Sequence, residues 1–307
     1  MTRELLQVKG LSKRFKDREV VKGISFSIAE GSCAALIGPN GAGKTTTIHM
    51  LAGLLQPSGG SVVLLAEGRP VADPRPFIGY LPQMPVFYPW MTGAEFLLYS
   101  GELAGLTRRE ATRETGKWLD AVGLRDAGKR RIGGYSGGMK QRLGLAQALI
   151  HRPRLLILDE PVSALDPAGR KDVLTLLQRI RLETTVLFST HVLHDAEEIC
   201  DEILMMREGE IVLQGSLDHL RRTYSEPVIR LEVGGDEVSR AWLAAAGGKD
   251  FVVQSEISGG RAKLRVADVE RAALELMADA VSRRVTIRTL EAGQSTLEDL
   301  FLKAVRS

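Results

Sequence analysis

Cysteine is almost absent. The chain of 307 residues has two, Cys33 and Cys200, far apart in sequence. Neither stands in a C-x-x-C or zinc-type spacing, so no disulfide framework is indicated and ordinary core packing in a reducing compartment is expected. Long apolar runs are missing too. No stretch approaches the ~18 consecutive apolar residues of a membrane-crossing helix. The opening MTRELLQVKGLSKRF lacks the apolar core of a signal peptide. Work at a membrane would therefore require another chain to cross it. Charge of one sign is also scarce: 41 Lys and Arg against 38 Asp and Glu leave a formal +3, too little to argue for nucleic acid or lipid. Aromatics make up only 5% of the chain, yet several crowd into MPVFYPWMT at 84–92. What remains is an ordinary globular balance, 44% hydrophobic and 26% charged, long enough for one or two domains.

Residues 1–222 alternate strand-like and helix-like segments. CAALIG (33–38), LLILDE (155–160) and TVLFST (185–190) are short apolar runs, as expected of strands covered on both faces. Helical patterns over 44–54, 169–183 and 193–200 follow them. The fold class is α/β, with a mostly parallel sheet core. The first thirty residues read as short strands with turns, a flanking antiparallel piece. Between about 84 and 149 the apolar pattern is helical, which suggests a helical subdomain. From 223 to 307 the order β-α-β-β-α-β, with a final helix over TLEDLFLKAV, suggests a small ferredoxin-like α+β domain.

Gly38-Pro39-Asn40-Gly41-Ala42-Gly43-Lys44-Thr45-Thr46 matches G-x-x-x-x-G-K-[ST] in full, between a predicted strand and a predicted helix. Glycines let backbone N–H groups curl around a phosphate, and the helix start adds partial positive charge. Lys44 would reach the β- and γ-phosphates of a nucleoside triphosphate, and Thr45 would offer its hydroxyl to Mg²⁺. In LLILDEP, Asp159 and Glu160 fall at a strand's C-terminal end, where open α/β sheets bind ligands. Asp159 would hold Mg²⁺, and Glu160 would orient or deprotonate the attacking water. His191, after TVLFST, reads alone as a satisfied strand-end histidine. Beside Asp159 and Glu160 it reads better as a γ-phosphate donor that steadies Glu160. A second glycine-rich helix start, YSGGMKQ at 135–141, poses a question: one nucleotide site does not need two.

In that order, these motifs resemble the nucleotide-binding subunit of an ATP-binding cassette (ABC) transporter, over residues 5 to about 220. The resemblance makes Gly38 to Thr46 the Walker A loop and Gln83 the glutamine loop. It makes Ser136 to Met139 the signature, 155–159 the Walker B strand, Ser163 to Asp166 the D-loop and His191 the switch. It implies an ATPase using ATP and Mg²⁺. Two subunits would pack head to tail, with Ser136, Gly137 and Gly138 of one capping the γ-phosphate bound by Lys44 of the other, and Asp166 lying at that junction. Gln83 would contact nucleotide and metal and report the γ-phosphate state. Tyr135 and Met139 depart from the usual signature, which has Leu and Gln there. Met139 has two readings, a signature residue that departs from the pattern or, equally, the first buried residue of its helix, on one face with Leu143, Ala146 and Ile150. Phe15 resembles the aromatic that stacks on adenine; a core aromatic is the other reading.

The aromatic run has two open readings: core of the helical subdomain, or a groove near Gln83 to Met91 that receives a cytoplasmic helix of a membrane permease. The size of the chain, its single cassette and its tail resemble ATPase subunits of ABC-2 type exporters. That implies a homodimer bound at the cytoplasmic face of a membrane, with no nucleic-acid partner. An importer subunit with a regulatory tail, or a soluble cassette acting on ribosomes or DNA, are the alternatives.

Overall fold

The computed structural model describes residues 3–163, 165–224 and 226–295, together with Asp299. It falls into two compact units, Met1–Leu217 and Asp218–Ser307.

The first unit opens with β1 (Glu4–Phe15) and β2 (Arg18–Ala29), an antiparallel hairpin. Strand β3 (Cys33–Ile37) leads through the glycine loop into helix α1 (Lys44–Leu51). β4 (Gly59–Ala66) and β5 (Arg69–Pro70) follow, and β4 pairs antiparallel with β1. The resulting sheet has the order β2-β1-β4-β5, the flanking antiparallel piece expected from the sequence.

β6 (Ile78–Leu81) returns to the core and precedes three helices: α2 (Gly93–Leu103), α3 (Arg108–Ala121) and α4 (Gly137–Leu149). α2 and α3 each start on a reciprocal capping box, Thr92 with Glu95 and Thr107 with Glu110. Each box satisfies two backbone donors that a helix start otherwise leaves open. The chain then alternates through β7 (Leu155–Leu158), α5 (Pro167–Ile180), β8 (Thr185–Thr190), α6 (Leu193–Ile199), β9 (Glu202–Arg207) and β10 (Glu210–Ser216). These strands form a sheet of order β10-β9-β3-β8-β7-β6, parallel except for the antiparallel pair β9–β10. β3, β7 and β8 are buried at every residue, which is why β3 and β7 read as unbroken apolar runs and β8 as an apolar centre flanked by small hydroxyl residues. Burying each Leu or Ile of this sheet is worth about 1.5–3 kcal/mol.

Helix α7 (Leu217–Tyr224) follows, with Leu217 the last residue of the first unit and Asp218 the first of the second. The change of texture near Thr223 marks the end of this helix, not its start. Then come β11 (Pro227–Val233), α8 (Glu237–Ala246), β12 (Val252–Ser258), β13 (Arg261–Val266), α9 (Val269–Ser282) and β14 (Ile287–Gln294). The antiparallel sheet has the order β12-β13-β11-β14, the arrangement of a ferredoxin-like split β-α-β domain. Ile229, Leu231, Val233 and Leu264 face a core shared with Trp242, Leu243 and Leu276 of the two helices. The expected final helix over TLEDLFLKAV lies outside the described residues, apart from Asp299, which pairs with Arg230 and Lys263.

One ion cluster ties the helices of this second unit together. Asp279 accepts from the Trp242 indole at 3.1 Å, from Lys249 at 2.8 Å and from Arg283 at 2.8 Å. The Lys249 ammonium, ahead of the Trp242 and Arg283 bonds, holds the Asp279 carboxyl down at about 2, against an ordinary 3.8. A depressed carboxyl stabilises the fold above its ordinary titration range and loses that contribution as pH falls through its folded value. Asp279→Ala is therefore expected to destabilise this unit at neutral pH by about 1–3 kcal/mol, because the Trp242 N–H loses its acceptor. The gap to the native chain should narrow as pH drops from about 4 toward 2. Denaturant titrations at stepped pH, read from Trp242 in a Trp90→Phe, Trp118→Phe background, test this; a gap that is constant with pH contradicts it.

Candidate active site

The parallel register assembles the site. Ile37 pairs with Thr190, and Leu158 lies between Leu81 and Phe188. Gly38, Asp159 and His191 thus leave the sheet at the same edge, the C-terminal ends of β3, β7 and β8. That is the edge at which open α/β sheets bind ligands.

The glycine loop is bent by sterics as well as by sequence. A Cβ on Gly38 would lie 2.3 Å from the Met206 carbonyl oxygen, so only glycine lets the loop leave β3 beside β9. Gly43 has φ of +105° and would bring a Cβ within 2.9 Å of the Val20 carbonyl oxygen. Lys44 follows at the first turn of α1. It is 5% exposed, and its ammonium donates to the Gly38 carbonyl at 2.8 Å and the Pro39 carbonyl at 3.3 Å. Burial lowers its pKa, while the charges of Glu160 and Asp159 oppose that shift. A buried ammonium held by neutral carbonyls is set to exchange them for phosphate oxygens.

Two carboxylates face this lysine. Glu160, 9% exposed, places Oε1 3.6 Å from Lys44 Nζ and Oε2 3.1 Å from His191 Nδ1. Gln83 Nε2 approaches the same Oε2 at 3.5 Å. The Glu160 backbone is left-handed, φ +46°, a conformation that costs a non-glycine residue on the order of 1–3 kcal/mol and concentrates at functional sites. Asp159 accepts from Ser189 Oγ at 2.6 Å and from Thr45 Oγ1 at 3.3 Å. A hydroxyl beside a carboxylate is the oxygen donor set that suits Mg²⁺, which takes few protein ligands and completes its shell with phosphate and water. The two residues fit that ion, and no group of three or more His, Cys, Asp or Glu among the described residues offers an alternative metal site.

The structure thus brings Lys44, Thr45, Gln83, Asp159, Glu160 and His191 into one cluster. Two residues that sequence reasoning missed complete it. Ser189 is fully buried and both donates to Asp159 and accepts from the Glu160 N–H at 2.9 Å. Its only signal was a hydroxyl in an otherwise apolar part of TVLFST. Gln141, on the signature helix, donates to the Pro161 carbonyl at 2.9 Å and ties α4 to the turn after Glu160.

The other expected residues stand elsewhere. Ser136 caps α4, accepting from Met139 N at 3.3 Å, and it is exposed together with Gly137. Asp166 is exposed and caps α5, accepting from Gly169 N at 3.0 Å. Tyr135 turns into the helical subdomain: it is 5% exposed, its hydroxyl donates to Ala127 O at 2.7 Å, and burial raises its pKa. Met139 is only half-buried, so of its two readings the one that makes it the first buried residue does not hold; Leu143, Ala146 and Ile150 carry the buried face. At the first turn of a helix a side chain leans back over the chain before it, away from the packed layers. Phe15 is 47% exposed at the tip of the first hairpin, with Lys13 Nζ 5.2 Å from its ring, so it is not a core aromatic.

The ABC transporter domain family matches residues 21–163, and the DrrA1-3-like C-terminal domain family of ATP-binding proteins matches residues 215–305. The chain is 46% identical to the uncharacterized ABC transporter ATP-binding protein YxlF of Bacillus subtilis (strain 168), over 99% of this chain and 100% of that protein. It is 33% identical to the Nod factor export ATP-binding protein I of Rhizobium sp. (strain N33), over 99% and 97%. A solved ATP-binding subunit of an ABC transporter superposes with a TM-score of 0.65 at 33% identity, covering 72% of this chain and 93% of that one. With the Lys44–Glu160 cluster at the sheet edge and relatives matched from end to end, this chain belongs to the ATP-binding proteins of ABC transporters and is an ATPase of that family.

Proposed function

We propose that this chain is the motor subunit of an ABC exporter, working as a head-to-tail homodimer that clamps two ATP molecules. The observation that carries the reading is the Glu160 carboxylate, fixed between Lys44 and His191 at the rim of the phosphate loop. In the reaction, Lys44 holds the β- and γ-phosphates through the loop's N–H groups and its own ammonium. Thr45 and Asp159 would hold Mg²⁺, which would supply neutralisation of the triphosphate's negative charge. Glu160 takes a proton from the attacking water as the water oxygen bonds to the γ-phosphorus and the bond to the β,γ-bridging oxygen breaks. His191 keeps that carboxylate in line, and Gln83 senses whether the γ-phosphate is present.

The signature glycines favour a shared site. A Cβ on Gly137 would meet nothing within 4 Å in this chain. Any need for glycine there arises outside it, as a γ-phosphate held by the partner's Lys44 would supply. Ser136 and the N-terminus of α4 then face that anion, and Asp166 stands beside the junction. Phe15, exposed on the hairpin, stacks on adenine in this reading.

The partner surface lies just past Gln83. Met84, Val86, Tyr88, Trp90 and Tyr99 are all exposed, while Phe87 packs edge-on against buried Phe96 at 5.0 Å. Both readings of the aromatic run thus have residues to carry them: Phe87 anchors the run, and the others present an apolar surface suited to a short permease helix. No helix among the described residues is long and apolar enough to cross a membrane. A separate permease, with this chain at its cytoplasmic face, fits that. Full-length likeness to a protein named for Nod factor export favours the outward direction.

Glu160→Gln is expected to cut steady-state ATP hydrolysis about 10²–10⁴-fold, the worth of a general base. ATP binding should persist, and the variant should elute as a dimer with ATP and Mg²⁺ in size-exclusion chromatography. Hydrolysis near the native rate would remove Glu160 from the chemistry. Trp90→Asp combined with Tyr88→Asp should leave ATP binding intact and abolish recovery of the polytopic membrane protein that copurifies with tagged chain from gently solubilised membranes. If the same membrane protein comes down in full yield, the docking surface is elsewhere.

A further inference from the structure

A second cavity lies at the other end of the central sheet, where β7 and β8 begin, away from the nucleotide cluster. It measures about 500 Å³ and lies among α3, the end of α4, the 152–154 turn and the end of α5. Its volume is that of a small-ligand site, in the range of about 300–1,000 Å³.

Its lining is amphipathic, and its charge does not balance. Trp118, Leu149, Pro153 and Ile180 are buried apolar wall. Leu182 stands at the rim with 83% of its surface exposed. Four cations border the space: Lys117, Arg152, Arg154 and Arg179. Arg152 is taken up by buried Glu114 and Arg154 by Glu30. Lys117 reaches Glu183 at 3.8 Å, the loose end of ion-pair range. Arg179, exposed in the last turn of α5, has no ion-pair partner among the described residues. Of the four bordering cations, Arg179 alone has no carboxylate partner among the described residues, and it leaves a positive charge at the mouth of an apolar pocket. The wall also holds the Trp118 indole N–H, buried without a hydrogen-bond partner.

We propose that this cavity is a binding site for an amphipathic monoanion, a long-chain carboxylate with its tail against Trp118, Ile180 and Leu182 and its head on Arg179 and Lys117. One acid group neutralises the single unanswered charge, and an unbranched tail covers the exposed leucine. The site joins α3 of the helical subdomain to α5 of the sheet layer, and it is independent of the nucleotide cluster. Neither Arg179 nor Ala121, an exposed residue on the α3 wall, belongs to that cluster.

The test is calorimetric titration of the full chain with sodium dodecanoate below its micelle concentration, with dodecyltrimethylammonium as the same tail carrying the opposite charge. Dodecanoate is expected to saturate at one per chain, and the cation is not. Arg179→Glu should weaken dodecanoate binding about tenfold or more, a loss of roughly 1.4 kcal/mol. Ala121→Phe, which fills the cavity from its exposed wall, should abolish binding. Retained ATP binding in both variants shows that they fold. Absence of saturation, equal binding of the cationic chain, or unchanged affinity in both variants overturns the proposal.

Discussion

The buried hydroxyl of Ser189 is the hinge of the chemistry. It accepts from the Glu160 N–H and donates to Asp159 Oδ1, so one side chain on β8 sets both acidic residues at the end of β7. Glu160 can hold its left-handed backbone because that N–H has a partner inside the protein. Without it, a strained residue with an unsatisfied buried donor would relax away from Lys44, since each such orphan costs about 1–3 kcal/mol. The Glu160 carboxylate is thus aimed by a strand-to-strand contact, while the lysine it faces is aimed by the glycine loop.

The site is built from groups placed in tension with their surroundings. Lys44 is buried where burial disfavours its charge, Glu160 is strained, and Gly38 is pressed against the Met206 carbonyl. The fully buried strands β3, β7 and β8 supply the rigidity that sustains this. Because those strands are parallel and in register, their ends converge, and Thr45 and Asp159, 114 positions apart, meet at 3.3 Å.

Much of this could be read from the sequence, and the reasons are physical. The strands were visible because complete burial makes a strand uniformly apolar. The phosphate loop was visible because its backbone path admits few residues besides glycine. The split β-α-β order of the second unit was visible because its helices and strands alternate with different periods. Ser189 was not visible, because one hydroxyl in a strand has no periodic or motif signature until the neighbouring strand is known. Met139 stayed open between two readings, because helical spacing marks a face but not where the packed layers begin along it.

The separate cores of the two units also govern how the chain responds to heat. Among the described residues, one hydrophobic cluster gathers Leu36, Ile157 and Leu187 in the first unit and another gathers Ile229, Trp242 and Leu276 in the second. Two cores admit two cooperative transitions, and a single melting temperature then stops being a property of the whole chain. Nucleotide binding adds stability by mass action only to the cooperative unit that contains Lys44. The shift between the two transitions on adding ATP would then measure nucleotide affinity against an internal reference that the same chain provides.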